Sequence, residues 1–149
     1  RGFEKNDCVV IRNPSSTRPW QHVLEPLSGY LVLAQALHEN PTSYAEGWNF
    51  GPHYEDVKPV DWILNHMVTS WPGTSWQLDE VTHPHEAGYL KLDVSKAKER
   101  LNWQPTWHLE SALEKIVKWH QAWLNQEDMQ AFCLQEIEDY MKDMNIENY

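Results

Sequence analysis

Cysteine is nearly absent. Cys8 and Cys133 are the only two, and no CxxC spacing joins them, which excludes a disulfide framework and a cysteine-built zinc site. Both are expected to be reduced and buried. Positive charge is also scarce: 12 lysines and arginines stand against 22 aspartates and glutamates, a formal net charge of −10. That balance repels a phosphate polymer, so nucleic-acid binding is not expected. No apolar run approaches the roughly 18 residues of a membrane span. The polar stretch Arg1–Asp7 does not resemble a secretory leader, so a reducing, cytoplasmic setting is expected. There are only six glycines, and none sits in a glycine-rich turn between a strand and a helix. A complete doubly wound nucleotide domain is therefore not present in these residues. No serine or cysteine occupies a nucleophile elbow.

What is present is enough for one folded domain: 149 residues, 41% of them apolar. Nine tryptophans suit either a tightly packed core or an apolar face made for a partner. Arg1–Asp7 reads as the last turns of a helix with Asn6–Asp7 as its exit, so the chain is expected to open inside an element; a frayed start is the alternative.

Cys8–Arg12 is β-branched, is closed by Asn13–Pro14, and reads as a strand. Pro19 keeps Arg18 extended. A helix is expected from about Glu25, with Pro26 in its first turn, to Glu39. Ser43–Gly51 reads as a second strand, Val57–Trp71 as a helix, and Ser75–Asp79 and Tyr89–Asp93 as strands. Ser95–Asn102 is a short helix capped by Asp93 or Ser95. In Leu109–Asn125 one stripe holds Leu109, Ala112, Leu113, Ile116, Val117, His120, Trp123 and Leu124, a helix with a core face. Met129–Met144 is a further helix, within an acidic tail that starts at Gln126. The class is α/β with short, widely separated strands.

Three stretches invite chemistry. Arg12 and Arg18 bracket a turn of small hydroxylic residues, a set of guanidinium forks and donors that suits a pyrophosphate. A surface arginine stacked on Trp20 is the plainer alternative. His83-Pro84-His85-Glu86 has metal-ligating residue types. Pro84 between the histidines, and the lack of a third ligand, point instead to a polar loop facing a ligand. Tyr54–Lys58 has the YxxxK spacing, but Tyr54 follows Gly51–Pro52 in a turn and no helix carries both residues. His22, Glu25 and Glu86 could move protons in principle; His22, between Trp20 and Leu24, reads as a packed, hydrogen-bonded residue.

IRNPSSTRPWQHVLEPLSGYLVLAQ (Ile11–Gln35), WNFGP (Trp48–Pro52), HEAGYLKLDVSKAKERLNWQP (His85–Pro105) and DMQAF (Asp128–Phe132) together resemble the CDP-glucose 4,6-dehydratases of the extended short-chain dehydrogenase/reductase group. The resemblance covers essentially the whole chain. It implies the C-terminal, substrate-binding lobe of such an enzyme over residues 1–149, with about five or six helices and without the N-terminal Rossmann half. It implies a CDP-sugar ligand, with Arg18 at the pyrophosphate, Ile11 and Arg12 near the base or ribose, and His85 and Glu86 on a loop closing over the nucleotide. NAD would belong to the complete enzyme, and none of its contacts would lie in this chain. The family's glycine turn and its catalytic tyrosine and lysine have no counterpart here, so no catalytic residue is assigned. Elements that would pack on the missing half, Glu25–Glu39 and Tyr44–Phe50, are expected to drive self-association.

Overall fold

A computed structural model describes Gly2, Lys5, residues 7–81 and residues 88–144. The opening helix end falls mostly outside the described residues, as does the end of the tail. The chain forms two compact units, each built from two separate stretches.

The first unit comprises Arg1–Pro19 and Val57–Lys91. The β-branched run forms β1 (Cys8–Ile11). It pairs in parallel with a later strand (Ser75–Leu78), with Cys8 opposite Ser75 and Ile11 opposite Leu78. A second pair is antiparallel: β2 (Thr17–Pro19) against β3 (Val57–Pro59). In chain order Ser75–Leu78 is thus β4. Between β3 and β4 lies a helix (Val60–Ser70) that buries Ile63 and Leu64. It starts three residues later than its apolar spacing predicts. Lys58 precedes a proline and is held extended, and Pro59 itself sits at ψ 160°. Of the strand expected at Tyr89–Asp93, only Tyr89 pairs, with Thr17.

The second unit comprises Trp20–Asp56 and Leu92–Tyr149. Its first helix, α1 (Leu24–Glu39), ends at Asn40. Asn40 then caps a single turn, α2 (Pro41–Tyr44), by accepting a bond from the Ser43 amide. The helix of the first unit is accordingly α3. The strand expected over Ser43–Gly51 does not form. Its alternation records packing instead: Trp48 stacks on Tyr44, and Phe50 meets Trp103 edge-on at 4.9 Å. The helix α4 (Ser95–Leu101) begins where Asp93 accepts from the Ser95 amide at 2.9 Å. It ends on Asn102 at φ 51°, a left-handed residue. The helices α5 (Leu109–Leu124) and α6 (Met129–Asp143) match their apolar spacing, and Asp128 caps α6 through the amides of Gln130 and Ala131. Phe50, Ala97 and Trp103 form a core against which Val32, Leu33 and Leu101 pack.

The stripe on α5 divides. Leu109, Ala112, Leu113 and Val117 are buried, whereas Ile116, Trp123 and Leu124 are exposed. Both cysteines are free, but Cys8 is exposed and Cys133 half-buried. The expectation of two buried thiols fails: Cys8 is the first residue of a four-residue strand in a two-stranded sheet and is left exposed.

Candidate functional site

The candidate ligand-binding residues belong to the first unit. The turn before β2 is tied to the start of α3: the Val60 amide donates to the Ser16 carbonyl at 3.1 Å and the Asp61 amide to the Pro14 carbonyl at 2.9 Å. Ser16 is buried beneath it. On its other side the Thr17 amide donates to the Gly88 carbonyl at 2.9 Å. β2 is therefore held from both flanks. Arg18 stands at its centre, half-buried, with Nη1 donating to the Thr17 carbonyl at 2.9 Å. Its partner across the pair is Lys58, whose Nζ lies 5.6 Å from the Trp62 ring centroid. Ile11 and Arg12 are on the other sheet: Ile11 ends β1 half-buried, and Arg12 follows it exposed. His85 and Glu86, with His83, lie outside the described residues. Tyr54 is in a short 3-10 turn and Lys58 in a strand, so the YxxxK spacing has no helix to act on.

The charge is distributed unevenly. In the first unit Arg1, Lys5, Arg12, Arg18, Lys58 and Lys91 are matched in number by Glu4, Asp7, Asp61, Asp79, Glu80 and Glu86, so the formal −10 of the chain belongs to the second unit. The unit that carries Arg18 is formally neutral, and an anion meets no overall repulsion from it.

The second unit holds a polar cluster that sequence reading missed. Glu25 is completely buried in the first turn of α1. Its carboxylate accepts from the amides of Thr106 and Trp107 at 2.9 and 2.7 Å, and from the Tyr140 hydroxyl at 2.8 Å. Ser28 donates to the Glu25 carbonyl and accepts from the Trp103 indole. Trp107 in turn donates to Asp143 at 2.7 Å. Burial pushes the Tyr140 hydroxyl up to about 12, so it stays a donor. The cluster ties α6 to α1 and to the segment between α4 and α5. Nothing local in the sequence signals it, since an acidic residue in a first helical turn is ordinarily solvated.

His22 is also buried, as its setting in the sequence predicts. Nδ1 accepts from the Leu24 amide at 3.3 Å, and Nε2 lies 3.8 Å from Glu136. Burial, and then the charge of Lys115, lower its pKa from 6.5 to about 4. The unfolded chain therefore takes up a proton that the folded chain refuses. The stability tied to His22 is complete above pH 6.5 and is lost as pH falls toward 4, by up to about 3 kcal/mol. Urea midpoints at pH 7 and pH 4.5 test this: the drop on acidification should shrink clearly in His22→Gln, and an equal drop in both proteins contradicts it.

No protein-family model matches the chain. Its sequence is similar to proteins named for nucleotide sugars. UDP-glucuronic acid decarboxylase 1 of Arabidopsis thaliana is 26% identical over 115 residues, 77% of this chain and 25% of that protein. CDP-glucose 4,6-dehydratase of Salmonella typhimurium is 57% identical over 142 residues, 95% of this chain. The chain spans 40% of that enzyme's length. The resemblance read from Ile11–Gln35 and the later stretches is borne out, and the mixed helices and short strands are consistent with it. Among the described residues no helix is long and apolar enough to cross a membrane.

Proposed function

We propose that this chain is the C-terminal, sugar-nucleotide-binding portion of an enzyme of the CDP-glucose 4,6-dehydratase type, without activity by itself. The parent reaction oxidises the sugar at C4, eliminates water across C5–C6 and returns the hydride to C6, giving a CDP-4-keto-6-deoxyglucose for deoxysugar synthesis. The observation that carries the reading is Arg18, fixed at the centre of β2 within the stretch that gave the resemblance. A guanidinium so held presents a fork to a diphosphate with little ordering left to do. Ile11 and Arg12 are assigned to the base or ribose, and His85 and Glu86 to the closing loop. The parallel pair of β1 and β4 supports a role as part of a larger sheet, since parallel strands are ordinarily flanked and covered. The turn after β1 is not a dinucleotide turn: the chain runs Arg12-Asn13-Pro14-Ser15, with no glycine, so NAD is assigned to the rest of the enzyme.

Calorimetric titration with CDP-glucose tests the reading. Arg18→Ala should weaken binding by about 10- to 100-fold, the worth of a charged hydrogen bond. Competition by GDP-, dTDP- or UDP-sugars as strong as by CDP-glucose would move the assignment to another base. Absence of binding to the wild-type chain sinks the reading and favours a non-enzymatic interaction module. One observation favours self-association in either case: Leu27, Tyr30 and Leu31 on α1 are 45%, 57% and 73% exposed. Light scattering should show a dimer or larger species, and a monodisperse monomer argues against it.

A further inference from the structure

We propose that Lys58 is a second phosphate-contacting residue, acting with Arg18 across the β2–β3 pair so that the two cations together hold both phosphates of a nucleoside diphosphate. This rests on the reading of Arg18 given above. The register sets Arg18 directly opposite Lys58. Residues opposite each other in an antiparallel pair project from the same face, with Cβ atoms about 4.5–5.5 Å apart. The neighbours Thr17 and Pro19, Val57 and Pro59 alternate to the other face. A nucleoside diphosphate lying across that face would meet both cations. The two side chains also divide the work: the arginine fork fixes direction, and the lysine adds a compact charge. Lys58 is steered as well, its ammonium held over Trp62, which itself stacks on His66 at 5.5 Å. The lysine of the Tyr54–Lys58 stretch, which no helix could use as a catalytic partner, thereby acquires a role in binding.

Calorimetry with CDP-glucose, cytidine monophosphate and inorganic pyrophosphate, on the wild-type chain and on Arg18→Ala, Lys58→Met and Lys58→Arg, tests the proposal. Lys58→Met should weaken CDP-glucose and pyrophosphate by about tenfold or more, and the monophosphate by less than about threefold. Lys58→Arg should stay within about threefold of wild type for all three, because either cation can serve a phosphate. The melting temperature of Lys58→Met should stay close to that of wild type. Wild-type binding that Arg18→Ala weakens and Lys58→Met leaves unchanged overturns the role of Lys58 alone. A lower melting temperature with lost binding that Lys58→Arg does not restore overturns it too, in favour of a structural lysine. If the wild-type chain takes neither CDP-glucose nor pyrophosphate, the reading of Arg18 fails, and this one with it.

Discussion

Glu25→Ala is expected to bring the second unit to the edge of unfolding. The side chain is completely buried and accepts from two backbone amides and one phenol. Removing it leaves the amides of Thr106 and Trp107 without an acceptor, each costing about 1–3 kcal/mol when orphaned, while Tyr140 keeps Ser28 in hydrogen-bond reach. The amides of Thr106 and Trp107 cannot turn away, because the segment that carries them is pinned by buried Trp103 and Trp107. A total near 4 kcal/mol is expected against a typical domain stability of about 5–15 kcal/mol. Tyr140→Phe should cost far less, about 1 kcal/mol, since the carboxylate keeps both amides. Urea denaturation followed by far-UV circular dichroism measures both. A loss below about 1 kcal/mol for Glu25→Ala would show that water enters and satisfies the donors.

The second large effect is steric. Gly29 lies on α1 directly under Phe50. A Cβ there would come within 2.6 Å of both Cε1 and Cγ of Phe50, and closer still to Cδ1. Phe50 has no room to yield, being wedged edge-on against Trp103 at 4.9 Å and Tyr30 at 5.5 Å. Alanine would gain helix propensity of about 1 kcal/mol over glycine. The overpacking of about 3 kcal/mol outweighs it, so Gly29→Ala should be net destabilising by about 2 kcal/mol. Adding Phe50→Leu should recover part of the loss, because the pair shares one contact. A Gly29→Ala variant at least as stable as wild type would mean that the two elements separate more easily than their packing implies.

Legibility in the sequence followed the range of the interaction. The helices α5 and α6 were readable because their apolar spacing is local and Asp128 is a plain cap. β1 was readable from its β-branched run. Ser43–Gly51 misled because alternating aromatics mark alternating burial, whether or not a ladder forms. Here Phe50 is buried and Trp48 half-buried by side chains, with no partner strand. Glu25 was recognised only as a residue able to move protons, because its partners are Thr106, Trp107 and Tyr140, far along the chain. At the candidate site Arg18 could be singled out from its neighbours, whereas Lys58 stood out only as part of a YxxxK spacing that no helix uses. Its relation to Arg18 is a matter of strand register, which three-residue strands in separate parts of the sequence do not announce.

The Glu25 cluster also sets the order in which this protein can fold. Tyr140 meets Ser28 and Glu25 across 112 and 115 residues, and contacts of that span close late and slowly. Each unit is assembled from two stretches separated by part of the other. During synthesis, α1 is made long before α6, so Glu25 waits without its phenol while most of the chain is still being added. The second unit is therefore completed only after synthesis has passed Tyr140.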